Sequence, residues 1–179
     1  LAQTSQADRP HILFCKATGR FVCWIKIMEK DGTQDYTILS AAQLLGPYKL
    51  EYEHFRSFGF SGGDFDLAQE NGEACIFFEK VHSEMICARL TPDHLDVEEG
   101  VHFLERPHPP FVREAPAHFA RENTHYLITS GTTGYFPNPS LLCTAKQLFA
   151  AYTEAGDPHS GDLSHTSFHS QISSVFRIP

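Results

Sequence analysis

The sequence lacks an uninterrupted apolar run of about 18 residues, the length from which a membrane-spanning helix is read, so no such helix is expected. It lacks a Cys-x-x-Cys pair among its five cysteines (Cys15, Cys23, Cys75, Cys87 and Cys143), which argues against a zinc ribbon or a redox motif. It has no Gly-x-Ser-x-Gly elbow, phosphate-binding loop or dinucleotide fingerprint. It also lacks a net positive charge: the balance is −8 with histidines neutral, which argues against nucleic acid or an anionic membrane surface as partner. No low-complexity linker marks a second domain, and no secretory leader is visible at Leu1.

Four cysteines lie in apolar, strand-like runs and read as small buried hydrophobes. The odd total of five cysteines leaves at least one free thiol unless a partner lies outside this chain. Of the eleven histidines, His165 and His169 stand four apart, but no helix is predicted there to bring them to one face. No metal and no cofactor are expected.

What the chain does have is a repeat. Asp8, Asp64, Glu114 and Gln171 follow one another at nearly even spacing, and each heads a similar local pattern. After the first three come an apolar strand, a tight polar turn and a second strand. A period of roughly 50 residues predicts a propeller-like array of β-sheet blades, with the heads gathered around one axis. The fold class is all-β, with residues 1–179 forming one partial propeller domain.

The predicted strands are His11–Phe14, Phe21–Ile27, Tyr36–Ala41, Tyr48–Phe55, Phe65–Gln69, Ala74–Phe78, Glu84–Leu90, Ala117–Ala120, His125–Ser130, Leu142–Ala145 and Ser167–Ile178. Asn71-Gly72 is a strong hairpin signal. Pro92–Val97 is a turn before a further strand. Ala41–Leu45 and Ala145–Ala151 read as edge strands or turns at equivalent repeat positions, each leading to a tyrosine-bearing strand (Tyr48; Tyr152). Three units and a fragment of a fourth do not close a ring. The expectation is therefore a partial chain, with at least one blade before Leu1, more after Pro179, and low stability or aggregation for the isolated segment.

The heads have a chemistry. Glu114 has small neighbours, Ala115 and Ala117, and Pro116 fixes the strand entry. Enclosed beside other carboxylates, its pKa would rise, the condition for a general acid near neutral pH. The alternative is an ion pair of Arg113 with Glu114. Asp64 follows Gly62-Gly63, which permit close approach of a ligand or another strand. It shares a strand face with Asp66, one tuning the acid and the other capping a turn, or it makes a plain Asx turn. Asp8 before Arg9-Pro10 is either a head or part of an ordinary frayed terminus. Gly131–Pro139 is a loop whose hydroxyls and aromatics, Tyr135 among them, suit sugar hydroxyls and ring faces, or it is simply a long turn.

At these residues the chain resembles glycoside hydrolase family 43, closest to its exo-β-1,3-galactanase (galactan 1,3-β-galactosidase) branch. The segments that carry the resemblance begin at Asp8 (DRPHILFCKATGRFVCWIKI), Ser61 (SGGDFDLAQENGEACIFF), Arg113 (REAPAHFARENTHYLITSGTTGYFPNPS) and Thr166 (TSFHSQISSVF). The resemblance implies a five-bladed propeller, inverting hydrolysis and a secreted enzyme, monomeric at full length, acting on an oligo- or polysaccharide. It implies Glu114 as general acid, Asp64 as the carboxylate that tunes and orients it, and Gln171 at the water-activating position. Where a glutamate often precedes the Arg-Pro pair in that branch, Asp8 stands here, one methylene shorter; it is the alternative base. Thr132 would bind sugar, and Glu105 is a further candidate for sugar hydroxyls. Arabinofuranosidase or β-xylosidase activity on the same acid, and a non-catalytic carbohydrate-binding propeller, remain alternatives.

Overall fold

The computed structural model describes residues 5–176 and contains twelve strands in three four-stranded antiparallel sheets. The first sheet holds β1 (Gln6–Cys15), β2 (Arg20–Met28), β3 (Gln34–Ala41) and β4 (Lys49–Phe55). The second holds β5 (Gly62–Glu70), β6 (Glu73–Lys80), β7 (Glu84–Leu90) and β8 (Val97–Phe103). The third holds β9 (Arg113–Arg121), β10 (Thr124–Gly131), β11 (Leu141–Ala145) and β12 (Thr153–Gly156). Each sheet is a meander in chain order. Its first strand lies innermost, and β5 touches both β1 and β9.

The middle blade is buried on both faces, which explains its sequence. On β6, Ile76 and Phe78 pack toward Trp24, Tyr36 and Ile38 of the first blade. The alternate residues Cys75 and Phe77 pack toward Leu127, Cys143 and Tyr152 of the third. Successive side chains on a strand point to opposite faces, so a strand with two covered faces reads as one continuous apolar run. On β1 the alternation survives: Cys15 is buried, while Ile12 and Phe14 stay exposed. All five cysteines are buried and free, one more buried than the four that the apolar runs predict.

The Asn71-Gly72 turn joins β5 to β6 with both residues at positive φ (50° and 89°), the geometry of a two-residue hairpin loop. Ala41–Leu45 and Ala145–Ala151 form turns, not edge strands, from the last residues of β3 and β11 onward. Their predicted equivalence holds in side-chain detail: the Tyr48 hydroxyl donates to the Leu44 carbonyl (2.9 Å) and the Tyr152 hydroxyl to the Leu148 carbonyl (3.2 Å). Both tyrosines precede their strand instead of lying in it.

The final predicted strand is corrected. Ser167–His169 is a 3-10 turn, and residues 170–176 form no strand; Arg177 and Ile178 lie outside the described residues. A strand needs a neighbour for its backbone groups, and none of the described strands offers one to this segment. The turn has a counterpart at Ser57–Gly59 before β5, with Phe58 and Phe168 both in left-handed backbone (φ 55° and 54°).

Candidate active site

The three strand-borne heads sit at irregularities of the inner strands. Asp8 is followed by Arg9 at φ 48° and Pro10, where the β1–β2 register shifts between Asp8 and His11. Glu114 is followed by Ala115 at φ 50° and Pro116, where the β9–β10 register shifts between Ile128 and Ser130. The β5–β6 register shifts between Gly62 and Phe65, spanning Asp64. A bulge interrupts the ladder and re-aims a side chain, and proline suits it because it has no N–H to leave unpaired. Left-handed backbone costs a residue with a Cβ roughly 1–2 kcal/mol, so Arg9 and Ala115 hold it against preference.

The bulges turn Asp8, Asp64 and Glu114 into one cavity of about 950 Å³, where Gln171 joins them from the 3-10 turn segment. The repeat heads therefore do converge. Between them runs a polar network. Lys26 on β2 places its ammonium 2.7 Å from Asp64 and 3.1 Å from Asp8. Arg9 Nε lies 3.0 Å from the same Asp64 oxygen, and Arg9 Nη2 donates to the Gln171 side-chain oxygen (3.2 Å). The Gln171 amide in turn donates to Glu114 Oε1 (3.1 Å). Burial alone would lower the Lys26 pKa, but Asp64 and Asp8 outweigh it and hold the ammonium above its ordinary value.

Glu114 has a different setting. Burial, together with the charges of Glu79 and Asp64, pushes its carboxyl up to about 7, against the opposing pull of the Gln171 hydrogen bond and of His82. Glu79, at the end of β6, is buried and accepts from the His82 backbone N–H (2.9 Å), with His82 Nδ1 3.2 Å away. That hydrogen bond to Glu79 raises the His82 pKa despite partial burial. A carboxyl that titrates near 7 in a cavity is a proton donor usable at neutral pH.

The Gly62-Gly63 pair makes room for neighbouring side chains: a Cβ on Gly62 would strike the Tyr36 ring, and one on Gly63 the Glu79 carboxylate. Arg113 makes no ion pair with Glu114 among the described residues. Its guanidinium is buried against Thr129 Oγ1 (3.1 Å), the Thr129 carbonyl (2.7 Å) and the Pro139 carbonyl (3.0 Å), and burial pushes it down to about 10. Asp66 caps no turn. It bridges blades, with His11 Nδ1 at 3.0 Å and the His118 N–H donating at 2.7 Å. Tyr135 stands fully exposed on the cavity rim. Thr132 and Glu105 are not in the cavity wall: Thr132 is buried with its hydroxyl toward the Val112 carbonyl (3.4 Å), and Glu105 faces solvent.

Sequence reasoning missed Arg9, Lys26, Glu79 and His82. A signal existed for two of them. Lys26 is a single charge set inside an apolar strand run and Glu79 ends another, and a charge buried there is costly unless it is paired or functional.

No protein-family model matches the chain, and a search of curated proteins by sequence finds no match. Solved structures do match in fold. A GH43 β-1,3-galactosidase, BT0265, superimposes with a TM-score of 0.87 at 24% identity, covering 98% of this chain and 37% of its own. A second, BT3683 with galactodeoxynojirimycin, gives 0.85 at 20% identity, covering 98% and 65%. The exo-β-1,3-galactanase 1,3Gal43A from Clostridium thermocellum gives 0.78 at 21% identity, covering 95% and 38%. The chain thus spans between about a third and two thirds of the length of the structures it matches. Its fold is that of the glycoside hydrolase family 43 β-1,3-galactosidases and exo-β-1,3-galactanases, the family its sequence motifs resemble.

Proposed function

We propose that this chain carries the catalytic cavity of an inverting exo-glycosidase that acts on β-1,3-galactan, within a five-bladed propeller. The observation that carries the reading is Glu114: a carboxyl aimed into a cavity, titrating at about 7 and hydrogen-bonded to Gln171. In this reading Glu114 protonates the departing glycosidic oxygen. Asp64, fixed by Lys26 and Arg9, supplies part of the negative field that keeps Glu114 protonated.

Inversion needs a water on the face of the sugar opposite the acid, with about 6.5–9.5 Å between the acid and the group that activates the water. Gln171 and Glu114 touch in the free site, so an entering sugar parts them. Gln171 then orients the water, its side-chain oxygen held by Arg9. Asp8 is a second water-activating group that the geometry favours, since it lines the same cavity with 48% of its side chain accessible. Arg9 Nη1 is buried without a hydrogen-bond partner among the described residues, which leaves a donor for a sugar hydroxyl. The same reading places the enzyme outside the cell, working as a monomer.

The test is proton NMR of products released from β-1,3-galacto-oligosaccharides by the protein carrying this chain, with arabinofuranosides and xylosides as comparison substrates. Galactose released first as the α-anomer is expected. Glu114→Gln should lower the rate on unactivated linkages by roughly 10²–10⁴-fold, the contribution of a general acid. Full activity in that variant, or glycan binding with no sugar released by the unaltered protein, overturns the assignment.

A further inference from the structure

A second cluster of ionisable groups lies outside the catalytic network, on the first blade. Glu29 directly follows β2, Asp35 lies on β3 and His54 on β4. Antiparallel pairing of these strands brings Glu29 and Asp35, which flank the β2–β3 turn, together with His54 of the next strand. One donor atom from each falls within 4.8 Å of the other two. Asp35 Oδ2 is 3.1 Å from His54 Nδ1, and Glu29 Oε1 is 3.9 Å from the same nitrogen.

Two details distinguish this group from an ordinary surface ion pair. The Asp35 side chain is only 2% accessible, and its Oδ1 has no hydrogen-bond partner among the described residues. A buried carboxylate with one oxygen left unpaired is costly, and a cation held through Oδ2, the oxygen that faces His54, offsets the cost for the carboxylate as a whole. Glu29 is also braced from behind: Ser5 Oγ donates to Glu29 Oε2 (2.6 Å), which leaves Oε1 facing the cluster. Outer hydrogen bonds of this kind orient metal-binding carboxylates. The nearby Arg56 is exposed and makes no hydrogen bond to any of the three among the described residues.

We propose that Glu29, Asp35 and His54 bind one divalent transition-metal ion of the zinc type. The donor set selects the ion. Calcium and magnesium prefer shells made wholly of oxygen, whereas zinc accepts imidazole nitrogen and carboxylate oxygen together. Tetrahedral zinc with bonds of roughly 2.0–2.2 Å sets its donors roughly 3.3–3.5 Å apart, a value bracketed by the two His54 spacings of 3.1 and 3.9 Å. The fourth position is left to water. His54 is 66% accessible, so the ion enters from solvent. Once bound it ties β2, β3 and β4 at the end of the blade where Met28 and Gln34, the chain neighbours of Glu29 and Asp35, line the catalytic cavity.

Zn²⁺ titration by calorimetry, with Co²⁺ absorption as a second probe, tests this on the protein carrying the full chain. One tight equivalent is expected, with a rise in Tm. Asp35→Asn and His54→Gln should each weaken that equivalent at least tenfold and remove the Tm rise. His165→Gln, which alters another exposed histidine–aspartate pair, should leave both unchanged. Should Asp35→Asn fail to fold, the exposed His54→Gln carries the test alone. Absence of Zn²⁺ binding, or binding unaltered in His54→Gln, overturns the proposal; neither outcome bears on the role of Glu114.

Discussion

The first and third blades open their inner strands with the same backbone device and then diverge in charge. Asp8-Arg9-Pro10 and Glu114-Ala115-Pro116 both set an acid before a left-handed residue and a proline, and both bulges turn the acid into the cavity. Asp8 meets a cation there: Lys26 lies 3.1 Å away and also holds Asp64. Glu114 meets an amide and the field of two further carboxylates, and its carboxyl rises to about 7. The bulge decides where an acid points; for Glu114, burial and the carboxylates around it decide how long it keeps its proton.

The comparison breaks most severely when the cation is removed. Lys26→Met leaves Asp8 and Asp64 without their shared ammonium, which is only 11% accessible. Removing one member of a buried ion pair costs about 3–5 kcal/mol, and the remaining Arg9 contact to Asp64 puts this case at about 3 kcal/mol. Urea unfolding followed by tryptophan fluorescence measures it. A loss below about 1 kcal/mol, the worth of an exposed pair, would mean that Lys26 does not set the two blades apart.

The third blade is sharpened by removing negative charge. Glu79→Gln takes away the first of the two carboxylates whose charge adds to burial in raising Glu114. The alkaline limb of activity, along which the rate should fall as pH rises through about 7, is then expected to move to lower pH. Stability has a matching sign. A carboxyl whose folded pKa is raised contributes most below its unfolded value of 4.5, and that contribution is lost as pH rises toward 7. Glu114→Gln should therefore gain stability relative to the unaltered protein at pH 8 and lose that advantage at pH 4. Thermal unfolding at the two pH values reads this directly.

The same contrast shows which parts of the molecule were legible in the sequence. Strands β1–β7 and β9–β11 followed from aromatic and β-branched runs between turn signals, and the heads followed from their spacing. Convergence of Asp8, Asp64, Glu114 and Gln171 needed nothing beyond that even recurrence. Lys26 and Arg9 stayed hidden because their partners come from other strands, as Lys26 on β2 meets Asp64 on β5. Such pairing depends on how blades lean together, which no local pattern encodes. The bulges escaped for a related reason: proline after Arg9 and Ala115 announces an extended entry, whereas the left-handed residue before it is imposed by the strand opposite. Ser167–Ile178 read as a strand from composition, but over its described residues it finds no neighbour to take its backbone groups, and a strand exists only where one does.

The smallest effect separates the two blades at their outer turns. Tyr48 and Tyr152 make the same hydrogen bond to the carbonyl four residues earlier, yet Tyr152 is 3% exposed and packs on Phe77 and Phe103, while Tyr48 is only partly buried and its bond is open to solvent. Tyr152→Phe strands a buried carbonyl and should cost about 1 kcal/mol. Tyr48→Phe exposes its carbonyl to water instead and should stay within about 0.5 kcal/mol of the parent. Equal losses in the two variants would mean that the hydrogen bond itself, and not the burial around it, stabilises these turns. The third blade, packed against the middle one through Tyr152, would then hold its outer turn no more firmly than the first.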